Sequence, residues 1–349
     1  MKERSKDLLR NSFGSLISND RALAAAKTAP IWLTLIMFFL AVLLPIIPIT
    51  TYYASQSGSS IVSANSYGLK KTVASFALEM YKDDKSLVVG EDKLLTFADG
   101  DQDPIYTYKN ELTNLTELRV YKIAIESREG KNAFLKGIDE YKETVTEANT
   151  ETSTEATYSK PSFMVFFKDA YFLRIVKPGT ATAIAELTGD YKSFKANTDL
   201  FKSFIEIKDK TIEKPANSAA IKNLLATDQS VEDGIFNNYK SFLNNTYKTG
   251  KERNTLNGTL IFGGIYLGLS LLMALIIWLM TRGKNNPFNY MSLLMTFKIE
   301  SWISVAPALI GLLLGLILPM AMSIKMMFFI APLGFRVMFL LTKQLRPMQ

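Results

Sequence analysis

The sequence predicts a membrane protein with four transmembrane α-helices and an α+β extracytoplasmic domain inserted between helices 1 and 2. Three observations predict this class. Long apolar stretches lie towards both ends of the chain, residues 54–257 are polar, and basic residues concentrate beside the apolar stretches. Outside residues 54–257 the chain has 13 of its 40 Lys and Arg but only 4 of its 33 Asp and Glu. Such a basic excess is typical of membrane topology and anionic lipid, so no nucleic acid is expected as a partner.

Residues 1–29 form a basic cytoplasmic arm. Leu9, Phe13, Leu16 and Ile17 recur near helical spacing, so the arm either lies on the membrane surface or packs as a short helix under the bundle. Residues 30–50 follow without a charge and are long enough to cross ~30 Å of hydrocarbon. The long leader and the lack of a small-residue cleavage pattern favour a retained anchor over a signal peptide.

Three more transmembrane helices are predicted at residues 258–280, 301–322 and 326–341. Most Lys and Arg near the four spans lie on one side, although Lys240, Lys248, Lys251 and Arg253 precede the second span on the other. The positive-inside rule places the first side in the cytoplasm. Both termini are therefore expected in the cytoplasm, with residues 54–257 outside the plasma membrane. The basic residues that decide this are Arg10, Arg21, Lys27, Arg282, Lys284, Lys298, Lys343 and Arg346.

The polar domain contains both helical and strand patterns. Helical spacing predicts a helix over 67–81, alternation predicts a strand over 118–127, and two apolar runs predict a hairpin over 163–176. Ser230 with Asp233 resembles a capping box, and the helix that follows runs nearly into the second span. Residues 143–160 are rich in Thr and Glu, which predicts a flexible insert that joins no core.

The residue types present exclude several chemistries. The chain has no Cys and no His, so disulfides, thiolate nucleophiles, Ser-His-Asp triads and imidazole zinc sites are excluded. It also has no P-loop pattern for ATP. Acidic residues are abundant, but nothing singles out two of them as a catalytic pair. We therefore predict no catalytic residue and no cofactor.

One acidic segment is a candidate metal site. Asp99, Asp101 and Asp103 place three carboxylates at alternate positions, an arrangement that can surround a hard cation such as Ca²⁺. The segment departs from the EF-hand pattern, because Pro104 stands where Gly is needed and Asn110 where the bidentate Glu is needed. A solvated acidic turn is the competing interpretation.

Paired glycines are the candidate helix-packing residues within the spans. Gly264 with Gly268, and Gly311 with Gly315, are spaced four apart, which lets helix backbones approach closely. They serve either packing within the bundle or a dimer.

Glu300 and Arg336 are the two charged residues at the edges of the spans, and such residues are functional candidates. They either form an intramembrane ion pair or extend separately to water.

The layout of one span, an outer domain and three further spans resembles the maltodextrin-utilisation membrane protein family of Gram-positive bacteria. Local similarities are residues 121–125 (YKIAI), 163–173 (FMVFFKDAYFL) and 287–294 (PFNYMSLL), with Ala306-Pro307 later. The insert at 143–160 departs from that family, which provides no catalytic residues to carry over. The resemblance implies a role beside maltodextrin uptake components.

Three hypotheses of function follow. The first is a non-enzymatic accessory or regulatory protein of carbohydrate uptake, whose partners are the lipid bilayer and other membrane proteins such as sugar-importer subunits. The second is a membrane-tethered sensor, adhesion or structural protein whose outer domain binds a ligand or partner. The third is a membrane-bound enzyme or true transporter, for which the spans offer few polar groups.

Overall fold

A computed structural model describes residues 7, 10–64, 68–97, 103–144, 158–282, 286, 288–318 and 322–344. The chain divides into two compact units. The helical unit comprises Met1–Ser55 and Asn254–Gln349, and the sheet unit comprises Gln56–Arg253.

The elements follow one another in a simple order. The helices are α1 (Asn19–Thr28), α2 (Ile31–Leu43), α3 (Ile47–Ser55), α4 (Gly58–Ala64), α5 (Leu69–Lys82), α6 (Arg128–Asp139), α7 (Leu200–Ile205), α8 (Ser218–Thr227), α9 (Gln229–Met280), α10 (Leu293–Ile317) and α11 (Met322–Phe339). The strands are β1 (Val88–Val89), β2 (Leu95–Thr96), β3 (Tyr106–Lys109), β4 (Thr116–Ile123), β5 (Glu143–Thr144), β6 (Tyr158–Ser159), β7 (Ser162–Phe167), β8 (Tyr171–Val176), β9 (Ala183–Gly189) and β10 (Thr198–Asp199). A 3₁₀ turn, Leu44–Ile46, joins α2 to α3, and a π-helical turn, Leu340–Gln344, follows α11.

Four of these helical segments are long and apolar enough to cross a membrane. They are Ile31–Ser55, Gln229–Met280, Leu293–Ile317 and Ile324–Thr342, called spans one to four below. Span one combines α2, the 3₁₀ turn and α3, because Pro45 occupies the first turn of the 3₁₀ segment, where its missing N–H costs nothing. The coarse class that the sequence predicted, four apolar helices with a mixed α and β region, is confirmed.

Helix α9 differs from the prediction because it is a single helix of 52 residues, without a break before the second span. Its start also differs. Asp228, rather than Ser230, holds the first turn, since its Oδ1 accepts a hydrogen bond from Ser230 N at 3.1 Å. The carboxylate of Asp233 is instead paired with Lys70. The predicted capping box therefore does not form.

The sheet unit is built on a five-stranded sheet of order β3-β4-β7-β8-β9, in which only β4 and β7 are parallel. Successive residues of β7 face opposite sides, as the pleat requires. Met164 and Phe166 belong to the main core with α5, α7, α8 and the first part of α9, whereas Val165 and Phe167 belong to a second core beneath α6. The predicted strand and hairpin correspond to β4 and to β7–β8.

The predicted insert at 143–160 is ordered at both ends. Glu143–Thr144 and Tyr158–Ser159 pair as an antiparallel ribbon, and Ser159 is buried. The Glu143 carboxylate accepts hydrogen bonds from Thr116 N at 2.7 Å and from the Tyr141 hydroxyl at 2.6 Å. The expectation that no part of this segment joins the domain is therefore wrong at its ends, and residues 145–157 lie outside the described residues.

Candidate functional site

Buried polar side chains form the most distinctive feature of the helical unit. Polar groups inside a membrane bundle are costly, and for that reason they mark functional or assembly sites. On the parts of spans one to three that belong to the helical unit, the fully buried examples are Thr34, Ser270, Thr296, Glu300, Ser301 and Ser304. Of these, the sequence analysis had singled out only Glu300.

Glu300 lies on α10, a helix whose first turn is capped by the Ser292 side chain, which accepts a hydrogen bond from Met295 N at 3.2 Å. Ser304 follows Glu300 by four residues and thus shares its helix face. The Ser304 hydroxyl donates to Glu300 Oε1 at 2.6 Å. Glu300 Oε2 accepts no hydrogen bond from the described part of the chain, although the Ser270 hydroxyl of α9 lies beside the carboxyl group.

Arg336 on α11 uses its guanidinium to bind other parts of its own unit. Its Nε donates to Asn19 Oδ1 at 2.8 Å, one terminal nitrogen donates to the Ser15 carbonyl at 2.7 Å, and the other donates to the Ile303 carbonyl at 3.0 Å. The Asn19 amide returns a hydrogen bond to the Arg336 carbonyl at 3.0 Å. Arg336 therefore joins the N-terminal arm to spans three and four.

The structure contradicts the ion pair between these two charged residues and, for Glu300, the extension to water. No ion pair joins Glu300 to Arg336 among the residues that the structure describes, because each is held by different partners. Glu300 is completely buried, so it does not extend to water. Arg336 is half-buried, and its guanidinium binds Asn19 and the Ser15 and Ile303 carbonyls.

The two glycine pairs occupy different surroundings. A methyl group on Gly315 would lie 2.8 Å from Cβ and Cγ of Pro48, and one on Gly311 would lie 3.5 Å from Cβ of Pro45. These two glycines therefore allow α10 to approach span one closely. Gly264 and Gly268 are exposed on α9, and a methyl group on either would meet no described atom within 4 Å.

The candidate metal segment is described only in part. Asp99 and Asp101 lie outside the described residues, and Asp103 is exposed. Within the described ranges, no group of three acidic side chains comes close enough to hold a metal ion.

A shallow groove of about 470 Å³ lies along one side of α6 in the sheet unit. Small residues of α6 leave space there beside larger ones, and the lining side chains are apolar. Its lining consists of Ile125, Gly130, Ala133, Phe134, Gly137 and Ile138.

A charged cluster follows the end of α6. Arg174 and Lys160 both pair with Asp139, and Arg174 Nε also pairs with Glu186 at 2.7 Å. Partial burial raises the pKa of Asp139, but the two basic neighbours lower it by more, so its pKa lies below its ordinary value. The cluster is thus an internally paired surface network that fixes the end of α6 on the sheet.

Several residues of these sites were missed from the sequence. Ser304 carried a usable signal, since it stands four residues after Glu300 in a helical pattern. Ser270 belongs to a different span, and Ser15 and Asn19 precede the first span. Nothing in their local sequence marks them as partners of Glu300 or Arg336.

Comparison of the chain with protein-family models, with curated proteins and with solved structures finds no match.

Proposed function

We propose that the chain is a non-enzymatic integral membrane protein that acts as an accessory or regulator of carbohydrate uptake, with maltodextrin as the expected substrate of the system it serves. Both termini lie in the cytoplasm and residues 54–257 lie outside the plasma membrane. The observation that carries the proposal concerns the hydrogen-bond partners of the two charged residues at the edges of the spans. Arg336 and Glu300 bind groups of the same unit, so these charges serve the packing of the helices, which supports a structural rather than a catalytic role.

Close packing of the spans supports a scaffold rather than a solute pathway. Span three approaches span one directly at Gly315 and Pro48, and Trp302 on the same helix is fully buried. A hydrophilic solute needs hydrated or polar surfaces along its route. Here side chains fill the space between spans one and three.

The exposed face of α9 at Gly264 and Gly268 supports the choice of an integral membrane partner. Small residues let a helix of another protein approach closely, and dispersion contacts then stabilise the pair. The partner that we propose is the membrane subunit of a sugar importer, in agreement with the layout that resembles the maltodextrin-utilisation proteins.

Co-purification from native membranes tests this function. The full-length chain is expected to carry importer subunits with it. Gly264→Leu with Gly268→Leu should remove them while the bundle stays folded, because both glycines are exposed and a Cβ at either would have no described atom within 4 Å. Gly311→Leu is the matched control that disturbs packing inside the bundle. Retention of importer subunits by the double variant would contradict the use of this face.

Reconstitution of the purified protein into liposomes tests the competing class. No sugar flux is expected from this protein alone. Flux that Glu300→Gln abolishes would place the chain among true transporters and overturn the proposal.

The groove along α6 favours a second candidate function, a sensor or adhesion protein whose outer domain binds a ligand. Ala133→Trp would fill the groove, since Ala133 lines it and is exposed. If the outer domain recognises an apolar ligand or peptide segment there, this variant should lose that ligand and keep the importer subunits.

A further inference from the structure

Two large apolar side chains stand exposed on the N-terminal arm. Phe13 is 70% exposed and Ile17 is 92% exposed. The Gly14 carbonyl accepts hydrogen bonds from Ile17 N at 3.1 Å and from Ser18 N at 2.9 Å, so both side chains belong to one tight turn. We call Phe13 and Ile17 the apolar tip.

The residues around the apolar tip are firmly packed. Ser15, between the two tip residues, is buried, and its carbonyl accepts a hydrogen bond from Arg336. Asn19, which begins α1, is also buried and is bonded to Arg336 in both directions. Beyond it, α1 buries Ala22, Ala25 and Ala26 in the core of the helical unit. Exposure of the tip is therefore a property of the folded arm and not of a frayed end.

Positive charge lies directly beside the apolar tip. The Arg21 side chain covers Gly14 so closely that a methyl group there would lie 2.0 Å from Arg21 Cδ and 2.8 Å from one of its terminal nitrogens. Arg10 is exposed as well, one helical turn before Phe13. A guanidinium matches the oxygens of a phosphate group in geometry and charge. Large apolar groups flanked by Arg are typical of segments that lie at the boundary between headgroups and acyl chains.

The helices to which the apolar tip is attached favour lipid over other binding partners. Arg336, which binds Ser15 and Asn19, belongs to span four, and it also donates a hydrogen bond to the Ile303 carbonyl of span three. The arm enters span one at Ile31, directly after α1. The tip is thus tied to helices that are long and apolar enough to cross a bilayer, so a lipid surface is within its reach.

We propose that the apolar tip is a lipid-binding element, in which Phe13 and Ile17 insert at the headgroup–acyl boundary while Arg10 and Arg21 bind the phosphates of anionic lipids. This anchoring is independent of any importer or ligand. It sets the depth of the N-terminal arm, and through Arg336 it links that depth to spans three and four.

The absence of Cys from the sequence makes a site-specific test direct. The full-length variant Ile17→Cys is labelled with an environment-sensitive fluorophore and reconstituted into vesicles of phosphatidylcholine with or without phosphatidylglycerol. Two control sites bracket the result. One control is Phe39→Cys on span one, where Phe39 is 54% exposed. The other is Leu112→Cys in the sheet unit, where Leu112 is 96% exposed.

The label at residue 17 is expected to be quenched by acyl-chain quenchers, as at residue 39, and protected from aqueous iodide, unlike at residue 112. Phosphatidylglycerol should increase this protection. Arg10→Gln and Arg21→Gln should each lower the ratio of lipid-exposed to water-exposed label about fivefold in the anionic vesicles, since one basic residue near such a surface is worth about 1 kcal/mol. Lys195→Gln, at an exposed site of the sheet unit, is the charge-matched control.

Two results would overturn the proposal. If iodide quenches the label at residue 17 as strongly as at residue 112 in both vesicle types, the tip faces water and is free for a protein partner. If the label is lipid-exposed but indifferent to phosphatidylglycerol and to both Arg variants, recognition of the phosphate is wrong.

Discussion

Asn19 and Arg336 bind each other twice across 317 residues of sequence. Arg336 Nε donates to Asn19 Oδ1 at 2.8 Å, and Asn19 Nδ2 donates to the Arg336 carbonyl at 3.0 Å. The pair provides hydrogen-bond partners both for the Asn19 side chain, at the start of α1, and for the Arg336 guanidinium. Both groups would be costly to leave unpaired in an apolar bundle. It closes the N-terminal arm onto the last span.

Breaking this pair should release the arm. Arg336→Gln removes the guanidinium donors to Asn19 Oδ1 and to the Ser15 and Ile303 carbonyls, while the hydrogen bond from Asn19 Nδ2 to the backbone carbonyl of residue 336 remains. The free energy of unfolding should therefore fall by about 1–3 kcal/mol. Trypsin should then cleave at Arg21 faster in detergent-solubilised protein. Lys27→Gln, at an exposed site of α1, is the matched control and should change stability by less than about 0.5 kcal/mol. Equal cleavage rates in the Arg336 variant and the wild type would show that the pair does not hold the arm.

Alanine substitutions at the four glycines should distinguish the glycines that pack against other helices from those that are exposed. Gly315→Ala must displace Pro48 and should lower the melting temperature most, whereas Gly311→Ala meets only ordinary contact distances and should cost less. Gly264→Ala and Gly268→Ala meet no described atom, and each should stabilise α9 by up to about 1 kcal/mol because Ala is the better helix former. A melting temperature that falls as far for Gly264→Ala as for Gly315→Ala would contradict this order.

Local patterns in the sequence were enough for several elements but not for the partners across the chain. Two apolar runs on either side of a short turn predicted the β7–β8 hairpin over residues 163–176. The sequence could not predict that Gly311 packs inside the bundle while Gly264 is exposed, since a glycine pair does not indicate which helix faces it. The Arg336–Asn19 pair was also invisible, because it joins residues 317 positions apart. The sequence placed Glu300 and Arg336 at the edges of the spans, but that position does not specify the face of a helix.

Stability should decrease in acid partly through Glu143. Partial burial raises the pKa of this carboxyl, but hydrogen bonds from the Thr116 side chain and backbone and from Tyr141 lower it by more, so its folded-state pKa is below the ordinary value. A depressed folded-state pKa contributes stability above the unfolded pKa, and that contribution is lost as the pH falls through the folded value. Glu143→Gln should therefore lower the melting temperature at pH 7 and converge with the wild type at low pH. Glu140→Gln, at an exposed neighbouring glutamate, controls for the lost charge. A constant difference from pH 7 to pH 3 would contradict this role.

The proposed orientation can be read from impermeant labelling, because the chain has no Cys. Single Cys at Ser59 or Thr152 should react with a membrane-impermeant reagent in intact cells, and a reporter fused after Gln349 should behave as cytoplasmic. The physical reason is the basic excess beside the spans. Protection of Thr152→Cys in intact cells, with labelling only after lysis, would contradict the proposed orientation.

Ser304 and Glu300 should be coupled energetically, because the Ser304 hydroxyl donates to the Glu300 carboxyl at 2.6 Å inside α10. Hydrogen bonds between side chains in membrane bundles are worth about 0.6 kcal/mol on average and reach about 1.7 kcal/mol. A double-mutant cycle of Glu300→Ala and Ser304→Ala, measured by unfolding in mixed micelles, should give a coupling energy in that range. Glu300→Gln keeps the acceptor oxygen and the side-chain volume, so it should melt near the wild-type temperature.

The matched control is Ser301, which is also fully buried but donates to the Phe297 carbonyl instead. A cycle of Glu300→Ala with Ser301→Ala should give a coupling energy near zero, since the two side chains share no hydrogen bond in the described structure. If both cycles gave the same value, the effect would come from loosened packing of α10. If only the Ser304 cycle were coupled, the hydrogen bond would be what fixes the Glu300 carboxyl beside Ser270.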